Sequence, residues 1–191
     1  MRVYLSKKVK SGLYIGIDAA AKTGWAVVRV CQNNIELIDF GSIALERNMP
    51  ELKKFQVFES TLSFQISKYF RYSNVTVVIE DCFLGKWNPK TFKLLARLEG
   101  YIIHWIKTQK KDADIVLIPA VTARKVLGAK KIRGSQKKRI LANFVNALLK
   151  QQYFTEKHHD ICDAIMLALA VAVIKGGGYE QKSRKNNSRT Q

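Results

Sequence analysis

Acidic residues are scarce in this chain of 191 residues: 15 Asp and Glu stand against 33 Lys and Arg, for a formal net charge of +18. So large an imbalance argues against a cationic partner and for a polyanion, with nucleic acid ahead of a membrane surface. No basic amphipathic helix stands apart from the core pattern, as a membrane-surface protein would need. Cysteine is scarce too. Cys31, Cys82 and Cys162 make an odd count without CxxC spacing, which gives no disulfide framework and suits reduced, packed thiols in the cytoplasm of a bacterial cell or phage-infected host. Long apolar runs are missing. The longest, Ile161 to Ile174, contains Asp163 and is too short to span a bilayer. The opening MRVYLSKKVKSG lacks the apolar stretch of a signal peptide. There is no internal repeat.

What is present suffices for one core. The apolar fraction of 47% is ample for a single domain of this length. Residues 1–12 read as a basic leader, 13–175 as the domain, and 176–191, opening with three glycines, as a disordered basic tail. Leu13–Ile17, Gly24–Val30 and Ile35–Ile43 read as three strands joined by short links, an antiparallel meander. Pro50 then starts a helix to about Tyr69, with Leu52, Phe55, Phe58, Leu62 and Ile66 at helical spacing. Val75–Glu80 is a continuous apolar strand, as expected where both sheet faces are covered. A second helix follows Pro89 through Trp105, and Ile115–Ile118 is a fifth strand ended by Pro119. A short helix over Thr122–Leu127 and a longer one from the Ser135 cap to about Gln151 precede the last helix, which carries Asp160 and Asp163. Three meander strands followed by strands alternating with helices predict an α/β, ribonuclease-H-like fold on a five-stranded mixed sheet flanked by helices.

Four of the few acids occupy unusual places. Asp18 ends the first strand, Glu80 ends the fourth, and Asp160 and Asp163 share one face at the start of the last helix. Each has an ordinary explanation taken singly. Asp160 and Asp163 favour a helix dipole, Glu80 has lysines within reach, and Asp18 suits a turn. A carboxylate at the end of a buried strand is nonetheless costly unless something positive meets it. Three element ends delivering acid to one point suggest a divalent-metal site. An acidic site in a basic body is the charge layout of a metal-dependent nuclease.

In order, Ile17-Asp18, Thr23-Gly24-Trp25, Ile79-Glu80-Asp81-Cys82-Phe83 and Asp160-Ile161-Cys162-Asp163-Ala164 resemble the RuvC family of Holliday junction resolvases, over roughly Leu13 to Ile174. The resemblance implies two Mg²⁺ ions, with Mn²⁺ substituting, held by Asp18, Glu80, Asp160 and Asp163, with Asp18 bridging. Mg²⁺ takes oxygen ligands and keeps several waters. Two ions about 4 Å apart activate a water and stabilise the leaving oxygen in phosphodiester hydrolysis. The resemblance also implies an aromatic at Phe83 that stacks on bases where the junction opens, the alternative being a core phenylalanine. It implies a homodimer on branched DNA through the helix of residues 89–107, with Leu95-Ala96-Arg97-Leu98-Glu99-Gly100 at its centre.

The stretch from Arg124 to Arg139 is dense in cations, and a phosphate-binding role competes with a solvated face. Arg124, Lys125, Lys130, Lys131, Arg133, Lys137 and Lys138 are the candidates for DNA contact. By resemblance, Lys138 is the family's lysine near the cut. His158 and His159 are either exposed loop residues or helpers in water deprotonation. Strand alternation turns Asp81 away from the site. The expected activity is crossover junction endodeoxyribonuclease. A broader branched-DNA nuclease, a nuclease of RNA–DNA hybrids and a junction-binding protein that does not cut are the alternatives.

Overall fold

The computed structural model describes residues 3–4, 8–20, 22–32, 34–46, 48–82, 89–129, 136–150 and 152–178. Phe83 and its loop, Lys130, Lys131, Arg133, Ser135 and the tail from residue 179 lie outside the described residues. Six strands form one sheet: β1 (Val3–Tyr4), β2 (Gly12–Asp18), β3 (Lys22–Cys31), β4 (Asn34–Ala44), β5 (Val75–Glu80) and β6 (Asp114–Ile118). Their spatial order is β1-β4-β3-β2-β5-β6. β2, β3 and β4 form the expected antiparallel meander, and β5 and β6 add in parallel beside β2. The five expected strands are all present in the expected directions. The leader contributes a sixth at the edge, two residues long and paired to Asn34 and Ile35.

The helices are α1 (Glu51–Ile66), α2 (Pro89–Gln109), α3 (Ala120–Val126), α4 (Lys137–Leu149) and α5 (His159–Lys175). The expected first helix stops at Ile66 and tightens into a 3-10 turn over Ser67–Arg71. Pro50 and Pro119 stand at the N-caps of α1 and α3, and Pro89 is the first residue of α2, where its missing N–H costs nothing.

Strand alternation divides the sheet into two faces. Leu13, Ile15, Ile17, Val75, Val77 and Ile79 face α1 and α2. Tyr14, Ala26, Val28 and Val78 face α3, α4 and α5. The helix α5 is apolar all round and buried from Asp160 to Val173, which makes it the central helix of its layer. Two glycines let it approach. A Cβ on Gly16 would lie 2.0 Å from the Ala164 carbonyl oxygen, and one on Gly24 would lie 2.1 Å from that of Asp160. These contacts set the first turns of α5 directly against the end of β2, where Asp18 stands.

Candidate nuclease centre

Alternation places Asp18 and Glu80 on the α5 face, at the ends of the neighbouring strands β2 and β5. Asp18, Asp160 and Asp163 are all buried. Asp18, Glu80 and Asp163 line one cleft of about 590 Å³, together with Arg124 and Lys137. Its other wall is apolar, formed by Phe92 and Leu95 of α2 and by Pro119, Ala120 and Val121 at the start of α3.

Electrostatics dominates this cleft. Burial, then a hydrogen bond to Glu80, then the charges of Glu80, Asp163 and Asp160 push the Asp18 carboxyl up to about 10. A proton held between Asp18 and Glu80, or a cation, relieves that repulsion. Burial raises Asp163 as well, against the opposing pull of Arg124 and Lys137. The Arg124 guanidinium donates to Asp163 Oδ1 at 2.6 Å, and both side chains are nearly out of solvent. The Arg124 Nε is buried without a partner.

Asp160 is held differently. Lys22 Nζ lies 3.0 Å from its Oδ2, and His159 Nε2 lies 3.0 Å from its Oδ1. Oδ2 is buried and makes no directed hydrogen bond despite that ion pair. The four acids thus reach one region as expected, but three line the cleft and the fourth is paired at its side. Four like charges cannot lie together bare, so each has found a proton or a cation. Among the described residues, no three His, Cys, Asp or Glu side chains are gathered closely enough to hold a metal ion as they lie. The donor chemistry fits a hard divalent cation all the same. The set is carboxylate oxygen, one buried oxygen lacks a hydrogen bond, and burial and neighbouring acids raise the Asp18 carboxyl, which a cation would offset.

The lysines expected near phosphate are placed differently. α4 begins at Lys137, and it is Lys137 that turns half-buried onto the cleft, while Lys138, one helical step round, is exposed. Lys125 is exposed as well, and Arg124 is engaged by Asp163. Both histidines are partnered. His158 Nδ1 accepts from the Thr155 backbone N–H at 3.1 Å, in a capping box that opens the turn before α5. His159 Nδ1 stands 3.1 Å from the Glu156 carbonyl. Asp81 does line the cleft, because β5 ends at Glu80 and strand alternation no longer governs it. Sequence reasoning missed Lys22 and the two glycines. The glycines left a signal, since Gly16 and Gly24 both sit inside strand patterns, where glycine marks a close backbone approach.

Acids on adjacent strand ends and one helix, beneath a mixed sheet in this order, define a ribonuclease-H-like nuclease. The family model for crossover junction endodeoxyribonuclease RuvC matches residues 14–173, so the chain belongs to the RuvC family of crossover junction endodeoxyribonucleases. Among solved structures it is similar to Thermus thermophilus RuvC in complex with a Holliday junction substrate, at TM-score 0.68 and 15% identity over 87% of this chain and 96% of that one. The structure of Thermus thermophilus RuvC alone gives TM-score 0.67 at 15% identity, over 87% and 97% of the two chains. The yeast mitochondrial Holliday junction resolvase gives 0.57 at 9% identity, over 91% and 84%. At such identities the likeness is one of fold. No curated protein sequence matches.

Proposed function

We propose that this chain is a Mg²⁺-dependent endonuclease that resolves four-way DNA junctions as a homodimer, by paired symmetric nicks that leave 5′ phosphate and 3′ hydroxyl ends. The observation that carries this reading is the meeting of Asp18, Glu80 and Asp163 with Arg124 and Lys137 on one cleft, in a chain of net charge +18. Asp18, Glu80 and Asp163 hold the metal, with Asp160 as the fourth acid. A divalent cation bound there supplies Lewis-acid activation of water and neutralises the leaving oxygen. A cation held there would favour the ionised form of Asp18 and Glu80. Arg124 has two anionic claimants in one cleft, the Asp163 carboxylate and an incoming phosphate. Lys137 adds a second donor for phosphate oxygen. The dimer is assigned to α2, which keeps Leu94 and Ile103 half-exposed beside the core-facing Leu98 and Ile102. A two-fold enzyme suits a two-fold substrate.

The test is incubation with end-labelled four-way, three-way, Y-form and linear duplex DNA and an RNA–DNA hybrid, with Mg²⁺, Mn²⁺, Ca²⁺ or no metal. Paired cuts in the four-way junction with Mg²⁺ or Mn²⁺, and binding without efficient cutting in Ca²⁺, are expected. Equal cutting of every branched form would give the broader nuclease. Binding without cutting in any metal would give a junction-binding protein. Phe83→Ala should slow junction cleavage and lower the 2-aminopurine signal at the crossover, since an aromatic ring offsets lost stacking by about 1–3 kcal/mol per base.

A further inference from the structure

Glu99 is an acid in a place that disfavours one. It sits on α2 in the stripe Phe92, Leu95, Glu99, the first two of which wall the acidic cleft. With only 15 acids in the chain, a half-buried carboxylate on this stripe of α2 calls for a contact that holds it there. Its contacts supply the reason. Beyond Glu80 the backbone leaves the sheet, and its first two amides find separate partners. The Asp81 N–H donates to the Ile118 carbonyl at 3.2 Å, continuing the β5–β6 ladder by one bond. The Cys82 N–H has no ladder partner and donates to Glu99 Oε2 at 2.9 Å. Asp81 and Cys82 themselves line the cleft.

We propose that Glu99 is a positioning residue of the nuclease centre: its carboxylate fastens the backbone two residues past Glu80 to the middle of α2, so that the placing of α2 fixes the placing of Glu80. The inference rests on the proposed role of Glu80 as a metal ligand. A bond from a charged acceptor to a half-buried backbone amide is among the stronger polar contacts. Without it the Cys82 amide loses its partner and the end of β5 is held by one hydrogen bond instead of two.

The experiment compares Glu99→Ala, which removes the acceptor, with Glu99→Gln, which keeps an oxygen acceptor without the charge. Glu36→Ala serves as control, because Glu36 of β4 accepts from Arg29 Nη1 of β3 at 3.1 Å and neither residue lines the cleft. Single-turnover cleavage of a four-way junction, junction affinity, the Mg²⁺ dependence of the rate, thermal melting, and amide hydrogen exchange of the segment holding Asp81 and Cys82 are measured for each. Glu99→Ala should cut roughly 10–100-fold more slowly at saturating junction, as loss of a ligand-orienting contact does. Its junction affinity should stay near wild type, its Mg²⁺ requirement should rise, and the Cys82 amide should lose protection. Glu99→Gln should restore both rate and protection, and Glu36→Ala should alter neither. A Glu99→Ala protein with wild-type rate and Mg²⁺ dependence overturns the proposal. So does a Glu99→Gln protein as slow as Glu99→Ala, because charge and not the acceptor would then matter. Should Glu99→Ala fail to fold, the rate and protection of Glu99→Gln decide alone. If wild type itself cuts no branched DNA, the proposed function fails, and the exchange data still decide whether Glu99 holds Cys82.

Discussion

On one face of the sheet, α5 lies so close that its own carbonyl oxygens stand where side chains of residues 16 and 24 would be. On the other face, α1 and α2 stay behind Phe58, Leu62, Ile66, Trp105 and Ile106. They are also joined to each other by polar contacts: Arg97 to Glu51, Tyr101 to Glu59, and a Phe55–Tyr101 stack at 5.0 Å. Backbone-to-backbone contact has no adjustable part, so it fixes distance. A layer of interlocking side chains fixes the core but tolerates repacking. The face with the rigid contact carries all four acids. The face with the adjustable contact carries α2, the proposed dimer helix. Precision is placed where the carboxylates converge, and latitude on the face of the proposed dimer helix.

The largest effect should come from adding one methyl group to the rigid face. In Gly24→Ala the new Cβ would lie 2.1 Å from the Asp160 carbonyl oxygen and 2.6 Å from the Ile161 nitrogen, both backbone atoms. We expect a loss of about 3 kcal/mol or more in urea unfolding, since overpacking alone costs about 1–3 kcal/mol. Cleavage should fall to background, because α5 must retreat and a shift of about 1 Å in reacting groups costs roughly 100-fold. Normal cutting by this variant would mean that α5 does not set the position of Asp160 and Asp163.

Next in size is Asp18→Asn. Cleavage should vanish while junction binding holds or improves, measured by gel shift in Ca²⁺. The metal-free variant should also be more stable than wild type, by about 0.5–2 kcal/mol. The sign follows from the raised carboxyl. Asp18 favours the folded state fully below 3.8, its unfolded value, and that contribution drains away as pH rises towards about 10. Asparagine has no proton to lose, so its advantage should widen with pH over that window. A melting-temperature gap that narrows with rising pH would contradict the buried, protonated Asp18.

A smaller effect separates two neighbouring lysines. Lys137→Ala should weaken junction binding and reduce the salt dependence by about one counterion, whereas Lys138→Ala should change both less. The reverse order would return the phosphate contact to Lys138. The smallest effect belongs to the adjustable face. A Cβ on Gly100 in α2 meets nothing within 4 Å, so Gly100→Ala should stabilise the monomer by up to about 1 kcal/mol through helix propensity. Sedimentation of the same variant reports on the dimer, and a shift towards monomer would place Gly100 in the two-fold contact.

The sheet was readable because each strand is a short apolar run closed by turn residues, and such runs leave few alternatives. Leu13–Ile17 and Val75–Glu80 lie within a residue of the observed β2 and β5. Val3–Tyr4 was not readable, since two residues carry no periodicity and their pairing depends on β4 arriving beside them. Among the acids, position in the chain pointed to Asp18, Glu80 and Asp163, which line the cleft, but it turned Asp81 away and did not place Asp160 at the side. It could not reveal how each is neutralised, because Lys22, Arg124 and His159 meet them only through tertiary placement. Lys137 and Lys138 differ by one helical step, so only the start of α4 decides between them.

Gly16 and Gly24 also bear on how this family member can vary. Glycine is already the smallest residue, so every substitution at either position adds atoms where a backbone oxygen of α5 stands. An acid can be exchanged for its amide with the shape preserved. These two positions have no such near-isosteric neighbour. In a saturation library they should be as intolerant as Asp18 or Glu80, though neither lines the cleft, and a search for functional residues by mutational sensitivity alone would count them among the catalytic ones.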